Sequence, residues 1–429
     1  MSKKTKTPVI LLEYYKPNKN KQGPMSYNNI HHKMFLSKTI KTWIEEQKSE
    51  DTTSIILQTT LETIMEYERD AFFADKQKEN KKNGYYNRMA KMISGVFDVK
   101  IPRDRMGIFK PLILEIVKKD NKKLNELAFS LYSKGMTTRD INKVLEETYS
   151  FNVSPQYISN ITRSMQKARE EWMKRKLDDQ YYVIYIDAIH LPLRRETVEN
   201  EAIYIVMGLN KELKREILGI YSIPQESASG WREVLEDLKN RGLKDTALFV
   251  ADGLKALETS VSDVFPKSRF QKCVTHLKRN VLRKARAKDR KEISKDLSFV
   301  FDMNLLSDTY SKALKRLDAF IEKWSRRYPN IKGVFNEGVK RYYFTYLDFP
   351  FEIRRMIYTT NWIERLNKDV RKTLKNRNSM PNEDSALNLI WSSLMNTEAN
   401  TYTYPITAFS SSKVELEEML STGEQTQKS

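Results

Sequence analysis

The feature that most narrows the possible folds is a change of hydrophobic period at Tyr181. Upstream of it, apolar residues recur at helical spacing. From Tyr181 they form runs of β-branched and aromatic residues: YYVIYIDAIHL, AIYIVMGLN and REILGIYSI. Three such runs joined by short polar connections read as an antiparallel meander. ESASGWREVLEDLKNRG follows at helical spacing, with Gly242 as its stop. DTALFVADG is apolar enough for a buried strand, LKALETSVSDVF is a further helix, and RFQKC is a short fifth strand. The expected order is β-β-β-α-β-α-β, and a chain with this middle is a mixed α/β protein.

Two carboxylates stand in these runs. Asp187 lies inside VIYIDAIHL, and Asp252 ends FVADG with Gly253 behind it. A carboxylate within an apolar strand is costly unless it is paired or bound to a metal. If the two strands are neighbours, the carboxylates face each other and a positive charge should lie between them. Oxygen-only ligands suit Mg²⁺ or Mn²⁺ better than zinc. The third ligand is expected from Glu364 in TTNWIERLNKDVRKTLK, early in a helix over about 360–377 that Thr359 or Thr360 caps. A helix N-terminus favours anions and nearby substrate phosphates. Three carboxylates holding two metal ions would align an attacking and a leaving oxygen on phosphorus. Arg371 follows Glu364 by seven residues, about two turns on one face, where a guanidinium grips a phosphate. Alone, each of these residues is an ordinary strand or helix charge. Their combination in this order carries the reading.

Charge bears on the partner. Lys+Arg number 75 against 56 Asp+Glu, a net charge of +19, which points to a polyanion. The basic residues are spread along the chain, which favours a membrane surface less. The single cysteine, Cys273, excludes an internal disulfide framework and a Cys-rich zinc module. It forms a Cys-x-x-His pair with His276, but the other histidines are only His31, His32 and His190. A packed cysteine beside a phosphate-facing histidine is the preferred reading. No stretch approaches the roughly 18 apolar residues of a membrane span, and the N-terminal apolar run is too short for a signal peptide. A cytosolic protein is expected.

The remaining segments complete the plan. Residues 1–95 are a polar leader followed by a helical pattern from Thr53 to Phe73. A boundary is expected at DKQKENKKNGYYNR, with its Asn-Gly turn signal. VFDVKIPRDRMGIFKPLILEIV reads as a short strand or arm and then a helix. Residues 96–178 carry a helix-turn-helix: KKLNELAFSLYSK ending at Gly135, a helix over about 138–149, and PQYISNITRSMQKAREEW behind Ser154 and Pro155. Thr137 and Asp140 are spaced like a capping box. Gln156, Ser159, Asn160 and Arg163 are the expected groove-reading residues. Residues 179–275 form the first part of a catalytic core, 276–352 an all-helical insertion, 353–400 the glutamate-bearing part, and 401–429 a tail. The last 20 residues are expected to be polar and unstructured. LKRNVLRKARAKDRK carries eight basic residues and one acid, a phosphate-tracking face that places His276, Lys278 and Arg279 near DNA. Arg194, Asn361 and Arg365, in the same segments as the acidic residues, complete the expected DNA contacts. Trp324, Tyr328, Tyr342, Tyr343 and Trp362 are core or stacking aromatics.

From about Asn83 to Leu394 the chain resembles the bacterial insertion-sequence transposases related to the plant Mutator elements. The stretches that carry the resemblance include NGYYNR, VKIPRDRMGIFKP, LYSKGMTTRDI, SPQYISNIT, IDAIHLPLR, KREILGIY, VADGLKAL, QKCVTHLKRNVL and YTTNWIERLNKDVRK. The resemblance implies a DDE transposase. Its RNase H-like catalytic core would be interrupted by an all-helical insertion and preceded by helical N-terminal DNA-binding domains. It puts the family's carboxylates on Asp187, Asp252 and Glu364, its accompanying basic residue on Arg371, and its Cys-x-x-His element on Cys273 and His276. The 364 − 252 = 112 residues between the last two acids leave room for the insertion. The implied reaction is hydrolytic nicking at the inverted-repeat ends of an element, then joining of the 3′ ends to target DNA, with two Mg²⁺ or Mn²⁺ ions. The implied partners are those ends and target DNA, with a homodimer to synapse two ends. The implied location is a bacterial cytoplasm, at the nucleoid. Ala256 stands where many relatives have Gly, Trp362 and Arg365 where smaller residues are common, and the last 30 residues depart from the usual ending. An RNase H-fold nuclease without strand transfer and a binding-only regulator are the rival readings.

Overall fold

The computed structural model describes residues 52–74, 80–92, 95–149, 155–194, 198–223, 227–253, 255–377 and 380–422. The chain divides into two compact units, one up to Asp120 and one from Asn121 onward.

The first unit pairs a helix with a two-stranded ribbon. Helix α1 (Thr52–Ala74) precedes β1 (Lys82–Met92) and β2 (Gly95–Asp104), which are antiparallel. The Asn-Gly pair expected to mark a turn lies inside β1. There the register shifts between Lys82 and Tyr85, and Gly84 takes a φ of +64°. A glycine accommodates such a bulge without steric cost. Residues of α1 close the free edge of β2: Gln58 Nε2 donates to the Asp98 carbonyl at 2.8 Å, and the Lys100 amide donates to Glu62 Oε1 at 2.9 Å. An edge so covered does not recruit another strand. Leu61, Met65, Ala90, Val99, Ile101 and Val117 form the small core.

Helix α2 (Ile113–Ser133) begins in the first unit and ends before Gly135 of the second, where α3 (Thr138–Tyr149) and α4 (Pro155–Met173) follow. The capping box forms as expected. The Thr137 amide donates to Asp140 Oδ2 at 3.0 Å, and the Asp140 amide donates to Thr137 Oγ1 at 3.1 Å. Gly135 has a φ of +91°, and a Cβ there would stand 2.4 Å from the Thr373 carbonyl. No other residue fits that position.

The five runs read as strands are strands: β3 (Gln180–Arg194), β4 (Val198–Leu209), β5 (Arg215–Ser222), β6 (Asp245–Ala251) and β7 (Arg269–Lys272). Their order in the sheet is β5-β4-β3-β6-β7. β3, β4 and β5 are antiparallel neighbours, while β6 runs parallel to both β3 and β7. Helices α5 (Ala228–Asn240) and α6 (Lys255–Val264) bury Trp231, Leu235, Leu238, Leu257 and Val261 against Ile184, Ile186, Tyr204 and Phe249 of the sheet. Each fully buried apolar side chain of this kind contributes about 1.5–3 kcal/mol.

From Val274 the described residues are helical: α7 (Val274–Arg283), α8 (Arg290–Val300), α9 (Tyr310–Ser325), the single turns α10 (Pro329–Lys332) and α11 (Glu337–Lys340), α12 (Phe351–Ile357) and α13 (Asn361–Lys375). Trp324, Tyr328 and Tyr343 are buried in this region. Two further helices follow, α14 (Glu383–Thr401) and α15 (Lys413–Thr422). The expectation of an unstructured end is corrected here. Leu416 and Leu420, four residues apart, put one face of α15 in the interior, and Tyr182 of β3 donates to Glu417 at 3.0 Å. Buried apolar residues at that spacing hold an otherwise charged helix. No described helix is long and apolar enough to cross a membrane.

Candidate active site

The expected strand pairing places the first two carboxylates side by side. Ile186 of β3 is opposite Ala251 of β6, so Asp187 and Asp252 are the next residues on neighbouring parallel strands. Alternation along β3 puts Tyr185 and Asp187 on one face, and α13 packs there: Trp362 lies 5.5 Å from the Tyr185 ring, and Asn367 Nδ2 donates to Asp187 Oδ2 at 2.8 Å. Asp187, Asp252 and Glu364 thereby line one cleft of about 490 Å³.

Two helices supply its walls with polar stripes at i, i+3, i+4 and i+7. Helix α7 presents His276, Arg279, Asn280 and Arg283, and α13 presents Glu364, Lys368 and Arg371, with Asn367 beneath them. This spacing keeps a set of residues on one helix face. It is the signal that finds Asn280, Arg283, Asn367 and Lys368, which the sequence reading passed over. Arg371 also donates to the Ala188 carbonyl at 3.3 Å.

Cationic side chains stand between the carboxylates. His276 Nδ1 is 3.7 Å from Asp252 Oδ1, and His276 Nε2 is 3.5 Å from Glu364 Oε1. Arg279 donates both terminal nitrogens to the two Glu364 oxygens, each at 3.2 Å. Asp252 also accepts from the Gly253 amide at 2.6 Å. Among the described residues, the potential metal ligands whose atoms lie within 4.8 Å of one another are Cys273, His276 and Glu364. The space between the acids is thus held by a histidine and an arginine.

The protonation states follow from burial and charge. Burial pushes the Asp187 carboxyl up to about 6, against the charge of His276 and the hydrogen bond from Asn367. The hydrogen bond with Cys273, against the opposing effect of burial, drives His276 up to about 9, helped by the charges of Asp252 and Asp187. His276 is therefore an imidazolium at neutral pH. Cys273 is buried and accepts from the Thr360 hydroxyl at 3.2 Å and the Thr360 amide at 3.4 Å. Of the two expected capping residues, Thr360 turns its hydroxyl to sulfur, and Thr359 Oγ1 accepts the Asn361 amide at 3.4 Å.

The other expected contacts scatter. Lys278 is half-buried, with its ammonium over the Phe301 ring at 5.9 Å, and it does not line the cleft. Asn361 and Arg365 are exposed at the start of α13. Asn160 and Arg163 are exposed on α4. The side chains of Gln156, Ser159 and Arg194, and all of Ser154, lie outside the described set.

A mixed sheet that sets two acids on adjacent strands, with a third on a helix across a basic cleft, defines the class to which the comparisons add a family. A family model described as "Transposase, Mutator family" matches residues 29–403. The chain belongs to that family. It is 33% identical over 306 residues to the transposase for insertion sequence element IS1201 of Lactobacillus helveticus, covering 71% of this chain and 82% of that one. It is 30% identical over 358 residues to the transposase for IS905 of Lactococcus lactis, covering 82% and 90%. It is 28% identical over 381 residues to the transposase for IS256 in transposon Tn4001 of Staphylococcus aureus, covering 85% and 94%.

Proposed function

We propose that the protein is a DDE transposase that binds the inverted-repeat ends of an insertion sequence, nicks them hydrolytically and joins the 3′ ends to target DNA. Asp187, Asp252 and Glu364 are its catalytic acids. The observation that carries this reading is their meeting in one cleft, although they lie far apart along the chain, between two basic helix faces. The sheet order, with two parallel strands added beside an antiparallel meander, supports an RNase H-like core.

The residues present fit divalent ions. The three carboxylates offer hard oxygen ligands, and Asp187 is buried with one side-chain hydrogen bond, so its charge lacks a full counterpart. Two Mg²⁺ or Mn²⁺ ions held by Asp187, Asp252 and Glu364 would activate water or a 3′-hydroxyl and stabilise the departing oxygen. Asn367 orients Asp187. Arg283, Lys368 and Arg371 bind phosphates on either side of the scissile bond, and His276 and Arg279 move from the carboxylates to the DNA as it enters. Asn160 and Arg163 on α4 contact the element end in the manner of a recognition helix. A homodimer brings two ends together.

The test is a supercoiled plasmid bearing element ends, incubated with the protein and Mg²⁺. End nicks and joined products are expected, and Asp252→Asn should bind ends normally yet produce neither. Nicks without joined products from the unaltered protein would identify a nuclease instead.

A further inference from the structure

The first unit contains a cleft of its own, of about 620 Å³, walled by Tyr86 and Arg88 of β1, Arg103 of β2, and Phe109, Lys110 and Lys118 beyond the ribbon. The sequence around it is basic. From Asn80 to Pro111 there are eight Lys+Arg against two acids, Asp98 and Asp104, a balance of 8 − 2 = +6.

Two acids, Asp104 and Glu115, also line this cleft, and both already have partners. Asp104 accepts from Asn80 Nδ2 at 2.6 Å and from the amides of Ile108 at 3.0 Å and Phe109 at 3.2 Å. Glu115 is paired with Lys118 at 2.6 Å. On α1, Glu62 accepts the Lys100 amide at 2.9 Å, Glu66 accepts the Tyr85 hydroxyl at 2.7 Å, and Glu68 accepts the Ile113 amide at 3.1 Å. The α1 glutamates thus hold backbone and a hydroxyl, and Glu115 occupies Lys118, which leaves Arg88, Arg103 and Lys110 without an acidic partner among the described residues.

Those cations stand ready. Arg88 and Lys110 are exposed and make no hydrogen bond or ion pair among the described residues. Arg103 is exposed too, with its guanidinium over the Tyr86 ring at 5.6 Å. A guanidinium resting on an aromatic face keeps its in-plane N–H groups free and gives up little freedom on meeting a phosphate. Three cations without acidic partners beside an aromatic floor suit a polyanion with regularly spaced charges. A two-stranded ribbon is also narrow enough to lie along a duplex groove.

We propose that this ribbon cleft is a second DNA-binding surface, in which Arg88, Arg103 and Lys110 take phosphates of duplex DNA. It rests on the reading that the protein acts on DNA, but it involves none of the residues assigned there. The test uses the full chain with Arg88→Gln, Arg103→Gln and Lys110→Gln combined, beside the charge-retaining Arg88→Lys, Arg103→Lys pair. Affinity for an end-bearing duplex is measured across a series of about 50–200 mM salt. The slope of log affinity against log salt should fall by about 2.7, roughly 0.9 per phosphate released, with at least a tenfold loss of affinity on the order of what such contacts supply. The lysine pair should keep the slope. An unchanged slope in the triple variant, with the unaltered protein still binding, overturns the proposal and leaves the transposase reading intact. Loss of self-association with an unchanged slope would likewise overturn it, giving the face to a second copy of the chain. If the unaltered protein shows no salt-dependent binding, both fall together.

Discussion

Two of the cleft's carboxylates are set by strands and one by a helix, and Asp187 and Glu364 carry their charge in opposite ways. Asp187 is fixed by the backbone of β3, buried, and supported by Asn367, with its carboxyl pushed up to about 6 by burial. Glu364 is gripped by both terminal nitrogens of Arg279 and lies beside His276. The strand acid costs stability to keep ionised. The helix acid is comfortable, but it can serve a metal only when its cationic partners let go. Under the proposed function, DNA phosphates would compete for Arg279 and His276 and thereby release Glu364.

The largest effect should come from removing the acids themselves. Asp252→Asn and Glu364→Gln should each slow end nicking about a thousandfold or more, because several kcal/mol of transition-state stabilisation goes with the lost ligand. Nicking measured at equal DNA occupancy checks this, and rates near that of the unaltered protein would remove the residue from the centre. Next in size is the bracing of the strand pair. Leu416→Ala should cost about 3 kcal/mol in denaturant unfolding, because α15 seats that side chain fully in the interior. An unmoved midpoint would show that the strands stand without it.

The comparison itself is tested by two isosteric changes in metal-free protein. Asp187→Asn should stabilise the fold at neutral pH by on the order of 2 kcal/mol, since each pKa unit is worth about 1.4 kcal/mol. The carboxyl rises from 3.8 to about 6 on folding, so the folded state binds the proton more tightly. The stability this gives is fully present below 3.8 and is lost as pH climbs through about 6. The gap between variant and parent should therefore close in acid, which thermal unfolding across pH will show. Glu364→Gln should do the reverse, losing less than about 1 kcal/mol because Arg279 is half exposed. Two changes of the same sign would dissolve the contrast. Smallest of all, Arg279→Gln should tighten Mn²⁺ binding a few-fold without DNA, read by calorimetry. Weaker binding would mean that Arg279 does not compete for Glu364.

Much of the second unit was legible because its elements announce themselves. The β-branched runs, the helix stop at Gly242 and the Thr137–Asp140 box each state a local preference that the packing keeps. Asp187 was legible for the opposite reason, as a charge in an apolar strand. Of the ribbon, β2 was legible as the short strand ending at the IPRD stretch, but β1 was not, because NGYYNRMAKM alternates weakly, and no local pattern reveals that side chains from α1 close the ribbon's edge. The last helix was missed because KVELEEML is short, charged and set among polar residues, and what decides its fate is a surface provided by β3 and β6. Asn367 escaped notice because a buried amide has no signature of its own. Only its position three residues after Glu364 marks it.

β3 runs from Gln180 to Arg194, yet β6 accompanies it only as far as Ile186. The overhang beyond that point is the berth of the glutamate-bearing segment: Arg371 donates to the Ala188 carbonyl at 3.3 Å, and the Met380 amide to the Pro192 carbonyl at 3.2 Å. The third acid is therefore moored to the strand that bears the first, and the polymer between Arg283 and Phe351 does not measure out its position. That stretch has its own tie to the sheet, where Thr345 donates to the Phe270 carbonyl at 2.8 Å and the Tyr346 amide donates to Gln271 Oε1 at 2.8 Å, so the helical region and the third acid are fastened to different strands.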